Sequence, residues 1–554
     1  MRAHTPALLC VLLLASCAPT STSERHDHGG GGERRASSDL YPGLGNYRHP
    51  ITTKSAEAQT YFDEGLTLLY GFNHDEAAKY FERAAAADPD AAMPYWGLAL
   101  AVGPNYNDTD VDAARAKRTY EAVRAATARA SKASAAEQDY IRALTKRYQS
   151  ANPKSDWKKQ HLEYSNAMRA LMRKYPDDLD AATMFAESLM MLRPWQLWTA
   201  DGKPAPNTLE LVAVLESVMK RNPDHPGANH FYIHAVEASP NLERAIPSAV
   251  RLMGLVPGAG HLVHMPGHIF LQTGDYDLAA LTNEKAAAAD KAFVTRTGAT
   301  GMYPLMYWTH NLHFIAFARA QQGRYEDARE AAEEMTRNVG DHDLHMQMLE
   351  GFHLYPLMID LRFLRWDDIL RAPEPRAERK LSRPFWRYAR ALALIGKGQT
   401  DAAAKERGEF EALRKAVPRD SRYMINNKSA DILAFAAATL DAKLAWARGD
   451  KERAIQTWRQ AVKLQGGLAY DEPPPWFYSA RQSLGGALLQ AGRSKEAEAV
   501  FREALAKQPR EGRLLFGLWQ SLNAERRDSE AALVEQQFRA AWKDATVNLR
   551  VEDL

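Results

Sequence analysis

Two distant stretches of the chain carry the same small residues, one aromatic and a proline at identical intervals. They are Gly65, Ala77, Phe81, Ala84 and Pro89, then Gly485, Ala497, Phe501, Ala504 and Pro509. A pattern that returns unchanged so far along a chain marks one structural unit used repeatedly, each copy meeting its neighbour in the same way. The small residues let two helices touch closely, and the proline ends the second helix because its ring cannot continue the helical hydrogen-bond ladder. Related punctuation appears at Gly274-Asp-Tyr276, Gly323-Arg-Tyr325, Gly398 and Gly449-Asp, the last followed by Ala454, Trp458 and Ala461. Strand signals are absent. The pattern predicts an all-α chain, an α-α solenoid of paired helices.

The segment from Ala58 to Pro89 resembles a tetratricopeptide repeat. Gly65 stands at its eighth position, Ala77 at the twentieth, Phe81 at the twenty-fourth, Ala84 at the twenty-seventh and Pro89 at the thirty-second. The second stretch, which also holds Gly492, fits a repeat starting at Tyr478. The motifs FNHDEAAKYF, YWGLALAVGPNYN, GHLVHMPGHIF and YDEPPPW are similar to those of a broad group of exported bacterial tetratricopeptide proteins. This resemblance implies a right-handed superhelix with inserted loops, and says nothing about a reaction. It also implies a concave groove able to bind a protein or peptide partner.

Eleven of the 17 histidines fall between His225 and His353, most of them in the blocks NHFYIHAVE, GHLVHMPGH and THNLH. Carrying the repeat register inward from Ala245, Leu252 and Pro257, from Gly274 and from Gly323 starts three successive repeats near Pro226, Gly260 and Thr309. His230, His234 and Glu237 then occupy positions five, nine and twelve. His261, His264 and His268 occupy two, five and nine, and His310 and His313 occupy two and five. In the family these positions of the first helix face the groove, so the resemblance implies one shared histidine-lined surface. Spacings of three and four put the side chains of each block on one helix face. His225 falls in a loop, and His353 takes position four of a later repeat, where it is expected to pack.

Imidazole and carboxylate suit zinc, copper or iron, and no thiolate is available to build a structural zinc site. The expectation is a transition-metal centre drawn from His230, His234, Glu237, His261, His264, His268, His310 and His313, with Glu237 as candidate base. The HFYIHAVE run has the i, i+4 histidines of zinc-binding helices but lacks the glutamate that follows the first histidine in HExxH proteases. Hydrolysis, oxidation and metal capture all stay open. The rival is a metal-free scaffold that holds a peptide in the groove. Expected substrate contacts are Glu187, Asn105, Tyr106, Asn107, Trp195 and Trp198. Pro266 is expected to begin a helix that leaves His261 and His264 in a preceding turn. The stretch from Phe293 to Trp308, with Gly298, Gly301 and Pro304, reads as a loop beside the groove and a candidate lid. The run Tyr470 to Trp476 reads as a second one.

The N-terminus predicts export. A short apolar run, Ala7 to Leu14, is too brief to span a bilayer and leads into Leu14-Ala15-Ser16-Cys17, which resembles a bacterial lipobox. Cleavage and acylation at Cys17, with Ala18 following, imply an outer-membrane lipoprotein facing the periplasm or the cell surface, in contact with membrane through its lipid anchor only. Cys10 and Cys17 are the only cysteines, so a processed chain keeps no free thiol. The expected organisation is a signal at 1–17, a Ser/Gly-rich tether at 18–40 that includes His26 and His28, and three helical regions at 41–220, 221–372 and 373–554. With 25% charged residues and a net charge of +2, the chain lacks the basic excess of a nucleic-acid binder.

Overall fold

Phe81 sits where the repeat pattern places its aromatic residue, and the need for its neighbouring glycines is steric. A Cβ on Gly65 would stand 3.0 Å from the Phe81 ring, and one on Gly97 would stand 2.4 Å from it. Phe501 is held in the same way, with Gly485 at 2.4 Å and Gly517 at 2.2 Å. In each case the glycines come from the first helices of two successive repeats, Ala56–Tyr70 and Met93–Val102, or Ala480–Gln490 and Gly512–Ala524. The ring comes from the second helix between them, His74–Ala87 or Ser494–Leu505. One fully buried phenylalanine, worth ~1.5–3 kcal/mol by burial alone, thus locks two repeats together.

The computed structural model describes residues 41–554. The signal-like segment, Cys17 and the tether with His26 and His28 lie outside them. From Pro42 to Leu554 the chain is an α-solenoid of helix pairs stacked in sequence order. Turns between paired helices use a left-handed residue, Gly274 and Gly323 at φ 77° being two examples. At the matching place in the first pair stands Phe72, at φ 55°. A bulky residue in that conformation is uncommon, and its ring lies against the central histidines.

Three expectations are corrected. Among the described residues there is one short antiparallel pair of strands, Arg422–Tyr423 with Asn427–Lys428, where no strand was expected. The stretch from Phe293 to Trp308 is mostly helical: helix Tyr276–Thr297 runs through its start, and a wide π-type turn, Tyr303–Trp308, leads directly into helix Thr309–Gln321. The glycines mark only the short link between them. His261 and His264 lie on a one-turn helix, Gly260–His264, and not in an irregular turn; Met265 keeps helical dihedrals before helix Pro266–Thr273, so Pro266 interrupts the ladder without unwinding the chain.

The first described residues form a strap across the early repeats. Tyr47 donates to Asp180 Oδ1 at 2.7 Å, and His49 Nδ1 meets Asp180 Oδ2 at 2.6 Å. Tyr70 donates to the same Oδ1 at 2.5 Å. His225 caps helix Pro226–Val236 by accepting from the Ala228 amide, and its Nε2 faces Tyr47 and Thr183 at 3.0 and 3.2 Å. It belongs to this satisfied network and stands apart from the central histidines. No helix among the described residues is long and apolar enough to cross a membrane.

Candidate metal centre

Helix Pro226–Val236 carries His230 and His234 one turn apart, and helix Gly260–His264 adds His261 beside them. The three offer ring nitrogens within 4.8 Å of one another. His230 Nδ1 donates to the Tyr70 carbonyl at 2.5 Å, and His234 Nδ1 donates to Glu237 Oε1 at 2.9 Å. With those protons committed, each Nε2 presents a lone pair. The Nε2 atoms of His230, His234 and His261 are all buried and have no hydrogen-bond partner. Buried polar atoms are rarely left so, and three on neighbouring rings form a donor set suited to a cation.

A second set lies against the first. His264 and His268 are again one turn apart, and His310 joins them from helix Thr309–Gln321, their nitrogens also within 4.8 Å. His264 Nδ1 meets Asn283 Oδ1 at 2.6 Å, and His268 Nδ1 donates to Glu237 Oε2 at 2.7 Å. Glu237 therefore serves both sets, one oxygen to each, in the carboxylate–histidine arrangement that orients metal-bound imidazoles. Burial raises the pKa of Glu237, but His234 and His268 outweigh it and hold the carboxyl well below its ordinary value. It is a poor candidate for the base expected of it.

Burial is the main force keeping four of these rings neutral. His230, His261, His264 and His310 are all lowered well below the usual histidine range, first by desolvation and then by neighbouring imidazoles. Among the rings of the two sets His268 goes the other way. Burial lowers it, but Glu472 and Glu237 together push it up to about 10. Aromatic rings wall the site: Phe72 stacks on His261 and His234, Phe314 packs against His264, His268 and His310, and Tyr307 meets His261 edge-on. Beyond Phe72 and Tyr307 lies a cavity of about 260 Å³, also bordered by His74, Asn105, Met302 and Tyr303.

The histidine surface expected to line the concave groove is buried. His230 and His264 are fully buried, and of the two sets only His310 is partly exposed. Closure comes from both ends of the solenoid. The turn Tyr70–Phe72 covers one side, and the segment Tyr470–Glu472 covers the other. Glu472 contacts His268 Nδ1, and Gln272 donates to Glu472 Oε1 at 2.9 Å and to the Tyr470 hydroxyl at 2.8 Å. Burial and the adjacent Glu237 carboxylate push the Glu472 carboxyl up to about 8.

Other expected residues divide. His313 is buried but lies outside both sets, its ring 4.2 Å from that of Tyr355. Tyr106 and Trp195 pack on His234, with ring centroids at 5.4 and 5.6 Å. Asn107 donates to the Tyr307 hydroxyl at 3.2 Å, whereas the Asn105 side chain accepts from the amides of Asn107 and Asp108 and shapes a turn. Trp198 donates to the Ala235 carbonyl at 2.7 Å and steadies the first histidine helix. Glu187 is corrected as a substrate contact, because the buried Arg147 takes both its oxygens at 2.8 Å. His353 lies away from the cluster, its Nε2 donating to the Gly340 carbonyl at 3.0 Å. Sequence reasoning missed Glu472, Phe72, Gln272 and Asn283. Two had a signal: an acid inside a proline-rich run, and a phenylalanine where the repeat turn takes glycine.

The tetratricopeptide repeat model matches residues 62–102, 439–511 and 483–545, which flank the histidine region. No curated protein matches the chain. Among solved structures, the chain is similar to the APC/C hetero-tetramer Cut9-Hcn1, at 12% identity and TM-score 0.30, over 91% of this chain and 77% of that one. It is also similar to yeast Tom70, at 12% identity and TM-score 0.28, over 87% of this chain and 90% of that one. The matched stretches at both ends, each with its phenylalanine clamped between two glycines, are tetratricopeptide repeats.

Proposed function

We propose that this protein is an exported tetratricopeptide scaffold whose closed centre binds a transition metal. The observation that supports this most is that His230, His234 and His261 bring ring nitrogens within 4.8 Å of one another while their Nε2 atoms are buried and have no hydrogen-bond partner. Three neutral imidazoles with no thiolate suit zinc, copper or iron(II), and Tyr70 and Glu237 fix two of the rings in the ligating tautomer. A bound ion would act as Lewis acid or redox centre in a small, aromatic-walled space, and the cavity beyond Phe72 and Tyr307 offers room for a small molecule. Glu472, raised toward neutrality beside His268, is better suited to proton transfer than Glu237. Acylation at Cys17 would tether the protein to the outer membrane. A protein or peptide partner, which the repeat family implies, would use other surfaces, because these histidines are buried.

Elemental analysis of the purified protein, followed by titration of chelated protein with Zn²⁺, tests the metal reading. At least one ion per chain, with the His230/His234/His261 ion lost in His234→Ala, is the expected result. A wild-type chain that takes up no stoichiometric transition metal would overturn it.

A further inference from the structure

The two histidine sets are copies of one another, generated by the repeat itself. In the register that starts repeats at Pro226, Gly260 and Thr309, His230 and His264 share position five and His234 and His268 share position nine. The third member comes each time from position two of the next repeat: His261 for the first set, His310 for the second. The stacking that brings three imidazoles together once therefore brings them together again one repeat later. Each set has its position-nine ring anchored through Nδ1 to Glu237, at 2.9 and 2.7 Å. The series stops there for a visible reason. His313 repeats position five, but position nine of its repeat is Phe317, so that repeat supplies no third anchored pair.

Resting on the metal reading above, we propose that the centre is dinuclear, with His264, His268 and His310 holding a second late first-row divalent ion beside the one held by His230, His234 and His261. The ring centroids of His261 and His264 are 5.4 Å apart and those of His234 and His268 are 5.5 Å apart, so the two sets are in contact. Within the second set the Nε2 atoms of His264 and His268 face each other at hydrogen-bond distance, 2.7 Å, close enough for one cation to take the place of the shared proton. Glu237, taking one hydrogen bond from each set, is the single anion that both ions share. A paired centre with imidazole donors fits a substrate that spans two ions, such as a small oxygen-donor molecule bound through adjacent oxygens.

The test counts ions. Chelated protein is titrated with Zn²⁺, and bound metal per chain is measured for the wild type and for His310→Gln, whose helix content is checked by circular dichroism. Two ions in the wild type and one in the variant are expected. One ion in the wild type, unchanged in His310→Gln, overturns the second centre and leaves the first standing. Two ions in both proteins overturn the assignment of His310. No ion in the wild type removes the metal reading itself, and the dinuclear proposal with it. Wild-type stoichiometry needs no variant, so the proposal stays testable even if His310→Gln folds poorly.

Discussion

The Nε2 atoms of His264 and His268 lie 2.7 Å apart, and each ring has its Nδ1 already engaged, one by Asn283 and the other by Glu237. Two lone pairs cannot rest at that distance without a proton or a cation between them. Asn283 decides which nitrogen His264 offers, because its own amide is oriented by donation to the Ala279 carbonyl at 2.8 Å, leaving Oδ1 toward the ring. Asn283→Leu keeps the volume and removes the acceptor. It is expected to weaken the ion held by His264, His268 and His310 by about 10–100-fold and to leave the ion of the first set unchanged. Competitive titration against a chromophoric chelator reads both, and equal weakening of the two would contradict the assignment.

Glu472 closes the site from the far end of the chain. Its contacts with His268 and Gln272 hold the Tyr470–Glu472 segment over the second set. Glu472→Ala removes the acid and loosens that cover, so bound metal should be extracted by excess chelator at least ~10-fold faster, a dissociation effect of the kind that removing an outer partner produces. Glu472→Gln keeps the hydrogen bond from Gln272 and should recover most of the slow rate. Identical extraction from all three proteins would mean that the segment does not gate the site.

The strap at Tyr47–His49 carries a pH dependence of definite sign. Burial lowers the His49 pKa, but the Asp180 carboxylate, with Asp178 and Asp63, outweighs it and pushes His49 up to about 9. A histidine raised in the folded state stabilises it most below its ordinary value near 6.5, and that contribution fades as pH rises through 9. The amides of His49 and Ile51 report it, since they donate to Asp63 and Gln59 across the strap. Their hydrogen-exchange protection, corrected for base catalysis, should fall between about pH 6.5 and 9 in the wild type and stay flat in His49→Gln. Parallel profiles would exclude the His49–Asp180 pair as the cause.

The histidine sets were legible because repeat phase is a property of the chain alone. Once Ala245, Leu252 and Pro257 set the register of one repeat and Gly274 that of the next, His230 with His234, and His264 with His268, fell on equivalent faces. What the register could not supply was anything that depends on the ends of the solenoid meeting the middle. Phe72 and Glu472 reach the site only through that closure, and so the surface expected to line the groove is a buried centre. Glu187 failed as a substrate contact for a similar reason. Its partner, Arg147, arrives from another helix, and no spacing along the chain announces it. Glu237 was found from its repeat position, but its role changed once both oxygens were seen to be occupied by imidazoles.

The phenylalanine clamp makes a paired prediction that separates packing from glycine's intrinsic cost in helices. Gly97 lies in helix Met93–Val102 and would place a Cβ 2.4 Å from the Phe81 ring. Gly408 lies in helix Thr400–Lys415 with nothing within 4 Å of its would-be Cβ. Alanine restricts the unfolded chain and favours helix at both positions, a gain of about 0.5–1 kcal/mol where space allows. At Gly97 the methyl must displace a fully buried ring that two repeats share, and overpacking of that kind costs about 1–3 kcal/mol. Gly408→Ala should therefore raise the melting temperature and Gly97→Ala should lower it. If Gly97→Ala melted as late as Gly408→Ala, the repeats would not be locked through Phe81, and the equivalent clamp of Gly485 and Gly517 on Phe501 would lose its meaning as well.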